Sequence, residues 1–389
     1  MHHANKQDNL TRRSFLGGLT AAALVPAARA STAPTAPVAI ARCPSYGSEL
    51  LPALARMFDQ LGGLGRLVKG KTVAIKLNLT GGPDSRLGYT PHEDAHWTHH
   101  RVIAATLHLL SKAGARRIRL LESPWATTEP LEEFMYAAGW DPAAFTSAAA
   151  GVEFENTNYL GRGRKYSRLW VPGGGHMFKA FDLNHSYEDC DVFVSLAKLK
   201  EHATTGVTLA MKNLFGITPC TIYGTGAGVD EPSPAPVGGR QPLHDGLRQP
   251  SKSALPENNP GSSHDDKYRV PRIVADLVAA RPVHLSIIDG INTMAGGEGP
   301  WIPRTRPLHA GLLLAGLDPV CTDAVATAVM GFDPMADRGT PPFERCDSTL
   351  RLAEEHGVGT RDLSRIEVLG VPIAEARFDI RKSGRTRTG

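Results

Sequence analysis

The densest run of reactive side chains is Lys198-Leu199-Lys200-Glu201-His202, followed by Ala203-Thr204-Thr205-Gly206-Val207-Thr208 and Met211-Lys212-Asn213-Leu214-Phe215-Gly216. It follows directly on the aliphatic stretch Val192-Phe193-Val194-Ser195. A strand end running into a helix would turn free backbone N–H groups and a positive dipole end toward an anion. Lys198 and Lys200 would add charge, and Thr204 and Thr205 would add hydroxyls. His202 is a candidate acid or base, because imidazole exchanges its proton near neutral pH. Lys212 and Asn213 fall near the far end of that expected helix, which leaves their reach to the same point open.

Three other aliphatic runs also stop at polar residues. Thr72-Val73-Ala74-Ile75 leads to Lys76 and Asn78, Ile118-Arg119-Leu120-Leu121 to Glu122 and Ser123, and His284-Leu285-Ser286-Ile287-Ile288 to Asp289. Together they give a candidate catalytic set of Glu122, Lys200, His202 and Asp289. Here His202 or Glu122 is the acid or base, and Asp289 orients a partner or ligates a metal. Lys76, Asn78, Lys198, Lys212 and Asn213 form a candidate cofactor- or anion-binding set. His202, His244 and Asp289 are candidate ligands for a divalent metal, although the spacing of these three has no ligand signature. The group His92, His96, His99 and His100 reads as solvated or hydrogen-bonded loop rather than as a metal site. The Lys198–Gly216 stretch carries no GxxxxGK[ST], and neither GxGxxG between a strand and a helix nor GxSxG occurs in the chain.

Short apolar runs bounded by turn residues suit strands buried on both faces. Helical patterns separate them. Thr98 is a candidate cap for a helix carrying Val102, Ile103, Leu107 and Leu110, with Gly114 as its stop. Further helices are expected over Ala203–Leu214, Val270–Ala280 and, after Asp318-Pro319, Val320–Met330, with Asp318 as N-cap. Strands alternating with helices imply an α/β fold, a mainly parallel sheet with helices on both faces. In such sheets ligands bind outside the carboxyl ends of the strands, where the polar residues fall. The expected organisation is an α/β domain over residues 38–370 with a basic tail over 371–389. From Pro219 to Lys267 the sequence turns to Gly, Pro, Ser, Asn and Asp, an irregular insertion or a lid.

Asn9-Leu10-Thr11-Arg12-Arg13-Ser14-Phe15-Leu16 resembles a twin-arginine (Tat) export signal. A short apolar stretch and Ala28-Arg29-Ala30 complete the pattern of a signal peptide over residues 1–30, with 31–37 as linker. Export by the Tat machinery to the periplasm or beyond is therefore expected, and no stable membrane span in the mature chain. The net charge of +4 comes with no basic stripe interleaved with aromatics, which argues against a nucleic-acid partner. The 5 cysteines are scattered without a CxxC pair, so no intrinsic iron–sulfur cluster is expected, and buried reduced thiols are.

The residues around the candidate site resemble the DUF362 family. Leu196-Ala-Lys-Leu-Lys-Glu-His202 and Thr205-Gly-Val-Thr-Leu-Ala-Met-Lys-Asn-Leu-Phe-Gly216 are similar to its central stretch, with Ala197 and Glu201 where Pro and Thr are usual. Ile288-Asp-Gly-Ile291, Gly296-Gly-Glu-Gly-Pro300, Leu314-Ala-Gly-Leu-Asp-Pro-Val320, Thr322-Asp-Ala-Val325 and Met330-Gly-Phe-Asp-Pro334 are similar to later segments, and Lys76-Leu-Asn78 to an early one. The similarity runs in order from about residue 38 to residue 334. It implies importance for Lys76, Asn78, Lys198, Lys200, His202, Lys212, Asn213, Asp289 and Asp318. Some relatives carry a fused ferredoxin-type module, which implies redox work there; this chain lacks that module's cysteines. The expected function is an exported enzyme acting on a small anionic substrate or cofactor, with metal-assisted and redox chemistry both open. The alternative is a non-catalytic ligand- or cofactor-binding protein of the cell envelope.

Overall fold

The computed structural model describes residues 32–125, 129–161, 163–227 and 238–383, so the expected export signal lies outside the described residues. In chain order the strands are β1 (Val38–Arg42), β2 (Thr72–Lys76), β3 (Arg117–Glu122), β4 (Val152–Asn156), β5 (Ser167–Trp170), β6 (Ala180–Leu183), β7 (Val192–His202), β8 (Gly206–Val207), β9 (Leu285–Ala295), β10 (Arg306–Gly316) and β11 (Val368–Gly370). The main sheet runs β11-β1-β10-β9-β7-β2-β3-β4, with β8 folded back on β7, while β5 and β6 form a separate hairpin. From β9 to β4 every neighbour is parallel, and β10 is antiparallel to both β9 and β1. This is the α/β architecture with a mainly parallel sheet that the alternating pattern implies. Each of the four aliphatic runs is a strand of the parallel block.

Apolar clusters fill both faces of the sheet. On one face Val102, Ile103, Leu107 and Leu110 of the helix His100–Lys112 pack with Val73, Ile75, Val194 and Leu196. On the other, Ile273, Val274, Leu277 and Val278 of the helix Asp266–Ala280 join Phe193, Leu199 and the helix Pro319–Val329. Val194 and Phe193 thus face opposite ways, the two-residue period of a strand covered on both sides. The 5 cysteines are free. No helix among the described residues is long and apolar enough to cross a membrane.

Local details differ from the sequence expectation where a side chain finds a better partner. His99, not Thr98, caps the helix that begins at His100: its ring accepts from the N–H of Arg101, and the Thr98 hydroxyl donates instead to the carbonyl of Leu196. Asp318 does cap its helix, accepting from the N–H of Cys321 at 2.8 Å. The helix expected over Ala203–Leu214 shrinks to Leu209–Asn213. At Gly206 the backbone adopts φ +73°, and an added Cβ would lie 2.7 Å from the carbonyl oxygen of Pro342, so the chain reverses there into β8.

The residue that starts the short helix, Leu209, sits at φ +47°, a conformation costly for a branched side chain. Asp323, buried in the helix Pro319–Val329, holds it there by accepting from the N–H groups of Ala210 and Met211, each at 2.8 Å. Those amides are therefore spent, and the expected anion site at this helix N-terminus is not formed. Burial raises the Asp323 carboxyl well above the ordinary value, with the two amides acting against it. Removing the carboxyl orphans two buried amides at about 1–3 kcal/mol each. Asp323→Ala is expected to lose at least about 2 kcal/mol in urea unfolding, and a loss below about 0.5 kcal/mol would show that the hook carries no strain.

Candidate functional site

At the carboxyl ends of β2, β3 and β7 lies a cavity of about 840 Å³. Lys76, Asn78, Glu122, His202, Lys212, Asn213 and His244 all line it, so most of the candidate residues share one space. The insertion after Pro219 supplies another wall through Gly239, Arg240, Gln241 and Asp245, and Asp265 and Asp266 stand at its outer edge.

The floor is a closed polar network. The Lys76 ammonium pairs with Glu122, both buried, and also donates to the carbonyl of Leu77 at 2.6 Å. Glu122 further accepts from the N–H groups of Leu79 and Ser123, each at 3.0 Å. Burial pulls Lys76 below the ordinary lysine value, and Glu122 pulls the other way. Gly216 passes so close that an added Cβ would meet the Lys76 ammonium at 3.0 Å. Asn213 accepts from Asn78 at 3.1 Å and donates to the Ser195 hydroxyl at 3.1 Å. The Asn78 side-chain oxygen is buried without a donor among the described residues. Glu122 is thus a charge partner engaged by three donors, not a free base.

Lys212, only partly buried, differs from the fully buried Lys76, Lys198 and Lys200. Its ammonium stands 4.4 Å from the centre of the Phe215 ring, with no hydrogen-bond or ion-pair partner among the described residues. Its pKa is pushed down to about 7, first by burial, with Glu298 opposing and the charges of Arg240 and Lys76 adding to the fall. Arg240 is pinned by the carbonyl and hydroxyl of Thr218, both 2.9 Å from its Nε, and by the carbonyl of Ser123 at 3.2 Å. No carboxylate pairs with it among the described residues.

His202 is held neutral: burial drives its pKa well below the ordinary value, and the charges of Lys212 and Lys200 push the same way. Its Nδ1 accepts from the N–H of Thr204 at 3.1 Å, which leaves the proton on Nε2. A neutral imidazole with that tautomer is a donor, and its Nδ1 lone pair is not available to a metal. His244 is pushed down to about 4, again by burial first and Lys212 second. Glu298 accepts from the N–H of Ala203 at 2.9 Å and from Trp301 at 3.1 Å, and its carboxylate lies 3.8 Å from His202.

Three candidate residues lie outside the cavity lining. Lys198 and Asp289, both fully buried, pair with each other at 2.9 Å. Lys198 also donates to the carbonyl of Glu93 at 2.7 Å, and Asp289 also accepts from Tyr46 at 3.0 Å and from the N–H of His99 at 3.0 Å. Their register on adjacent strands, Lys198 opposite Asp289, makes them partners for each other rather than for a ligand. His202, His244 and Asp289 therefore do not converge on one point. Lys200 donates to the carbonyls of His96 and Glu298 at 2.7 and 3.1 Å, which ties two loops together beneath the cavity. Burial above all pushes it down to about 7. Arg240, Glu298, Trp125 and Trp301 line the cavity without having been singled out from the sequence. Glu298 had a signal, the glycines on either side of it in Gly296-Gly-Glu-Gly-Pro300; Arg240 had none.

Residues 73–328 match the model of the DUF362 family, described as a domain of unknown function. The chain belongs to the DUF362 family. The match takes in β2 from Val73 onward, β3, β7, β9 and every cavity residue named above. A thylakoid-associated protein of Synechocystis sp. (strain ATCC 27184 / PCC 6803 / Kazusa) is 29% identical over 310 residues, which cover 76% of this chain and 75% of that protein. Among solved structures, a Thermotoga maritima protein aligns with a TM-score of 0.30 and 14% identity, over 64% of this chain and 52% of that one. The lactate racemase apoprotein of Thermoanaerobacterium thermosaccharolyticum aligns with a TM-score of 0.34 and 12% identity, over 70% and 54%. The chain thus spans about half the length of either solved structure.

Amine-specific acetylation followed by peptide mass spectrometry should show Lys212 half-reacted near pH 7, well below the surface lysines. Removing a neighbouring positive charge, as in Arg240→Gln, should raise that midpoint, and Glu298→Gln should lower it, in keeping with the sign of each neighbour. A midpoint in the ordinary lysine range would remove the basis for an activated amine.

Proposed function

We propose that this DUF362 member is an enzyme that binds an organic anion at the cavity floor and moves a proton to or from it through Lys212. The observation that carries this reading is the Lys212 ammonium, unpartnered in the described residues and tuned to about 7 beside the equally unpaired charge of Arg240. A lysine near neutral pH is half protonated, the condition under which an amine serves as acid or base. The Arg240 guanidinium is fixed by three acceptors, which suits it to hold a carboxylate or phosphate without moving. His202, neutral with its proton on Nε2, adds a donor. Glu122 and Asn213 keep Lys76 and Asn78 in place.

The acidic groups of the lining have partners of their own: Glu122 pairs with Lys76, Glu298 accepts from Ala203 and Trp301, Asp266 pairs with Lys267, and Asp265 caps the helix Asp266–Ala280. Lys212 and Arg240 are the charges left for an anion. A volume near 840 Å³ exceeds what a bare inorganic anion fills and falls within the range of about 300–1,000 Å³ typical of organic ligands. Trp125 and Trp301, both half-exposed on the lining, offer flat faces to its apolar part. Arg12-Arg13 and the segment after them support export by the Tat machinery as the place where this function is exercised.

Isothermal calorimetry with phenylphosphate and phenyllactate across pH tests the binding half. Affinity should be highest where Lys212 is protonated and fall as pH rises through about 7. Lys212→Met should weaken binding at least about tenfold and flatten that dependence. Solvent-deuterium exchange into the bound anion, read by NMR, tests the proton transfer. Exchange lost in Lys212→Met supports the enzyme, whereas binding with no exchange in the wild-type protein favours the non-catalytic alternative. Stability gives an independent check. A folded-state pKa near 7 against 10.5 in the unfolded chain means that stability rises with pH between those values. The Met variant should lose the Lys212 share of that rise, with Lys200 supplying the remainder, and be more stable than wild type near pH 7.

A further inference from the structure

We propose that His176, Asp276 and His356 bind a divalent transition metal of the zinc class at a site separate from the cavity. One ring nitrogen of each histidine and a carboxylate oxygen of Asp276 all lie within 4.8 Å of one another. The three residues come from separate segments: the loop between β5 and β6, the helix Asp266–Ala280, and the residue that ends the helix Thr349–Glu355. None of them lines the cavity.

The donor set has the supporting contacts that metal sites require. Asp276 is fully buried, and its carboxylate is fixed by the N–H groups of His176, Met177 and Phe178 at 2.6, 2.7 and 3.1 Å. Its Oδ1 lies 2.9 Å from Nε2 of His356, a hydrogen bond that would open to about 3.3 Å with a tetrahedral ion between the two atoms. The His176 Nε2 lies 3.3 Å from the carbonyl of Leu352, the outer hydrogen bond by which a ligating histidine is oriented. With Nε2 committed there, Nδ1 holds the lone pair. The loop is tight around the carboxylate: at Gly175, φ +70°, an added Cβ would sit 2.1 Å from the Phe178 carbonyl oxygen and 3.0 Å from Asp276 Oδ2.

Two imidazoles and one carboxylate form a borderline donor set that suits zinc, cobalt or nickel rather than calcium or magnesium. Three protein ligands leave a fourth position for water, and both histidines are only partly buried, so solvent reaches it. An ion there would join segments 100 and 80 residues apart and so stiffen the edge of the fold where they meet.

The test is zinc titration of the metal-stripped full chain by calorimetry, with cobalt absorption as a probe of coordination. Wild-type protein should take up one zinc, give cobalt bands of a four-coordinate site, and gain thermal stability on loading. His176→Ala and His356→Gln should each weaken uptake at least about tenfold and abolish the stability gain. Gln keeps a donor for Asp276, so that variant retains the hydrogen bond and the fold while losing the ligand; circular dichroism checks this. His202→Ala and His244→Ala should leave uptake unchanged. The proposal is overturned by wild-type protein that binds no zinc at micromolar concentration, or by uptake indifferent to His176 and His356. In either case the His356–Asp276 contact is a hydrogen bond and nothing more.

Discussion

Burying an ammonium group in a water-poor interior forces a choice between finding a partner and losing a proton, and that choice organises the carboxyl edge of this sheet. Four lysines meet it in three ways. Lys76 and Lys198 each take a carboxylate, Glu122 and Asp289, which lie on the neighbouring strands β3 and β9. Lys200 takes two carbonyls and no carboxylate. Lys212 takes none of these. The first two ways consume their partners and fix loops and strand ends, even though Lys200, without a carboxylate, is itself pushed down to about 7. The third leaves Lys212 on the cavity lining with a loosely held proton and no partner among the described residues.

That arrangement depends on the unusual start of the helix Leu209–Asn213. With a helix over the full stretch from Ala203, Lys212 would stand more than two turns from the strand end. The reversal at Gly206 and the left-handed Leu209 shorten the path. The carboxylate of Asp323, from a helix more than a hundred residues later in the chain, keeps the strained residue in place. The same contact removes the free amides that a helix N-terminus would have shown to an anion. Positive potential at the site therefore comes from side chains, Lys212 and Arg240, and not from a backbone dipole. Strain at a buried, hooked residue next to a cavity is the kind that a fold keeps where position matters more than stability.

How much of this could be read from residues alone follows from the range of the interactions. The parallel block was legible because four aliphatic runs ending in polar residues are a local pattern, and so was the clustering of Lys76, Asn78, Glu122 and His202 at one edge. β10 and β11 carried no such ending and went unread, although β10 closes the sheet against β9 and β1. Cross-strand register was also out of reach. Asp289 reads as a site residue until β9 is laid beside β7 and places it against Lys198. Arg240 sits in a stretch without periodicity, and only the folded path of the insertion brings it to the cavity. His176, Asp276 and His356 are separated by 100 and 80 residues, a distance at which no spacing rule operates.

The difference between Lys212 and Lys76 lies in their carboxylates and not in Arg240. Both lysines feel the guanidinium, and both are pushed down by it and by burial. Glu122 compensates Lys76 at contact distance, so that pair behaves as one neutral unit within the floor. Glu298, the opposing charge felt by Lys212, spends its oxygens on Ala203 and Trp301 instead. An arriving anion would supply what Glu298 does not, raising the Lys212 pKa and drawing a proton onto it from solvent or from the ligand itself. Binding and protonation are then one coupled event, set by the contact that Lys212 lacks.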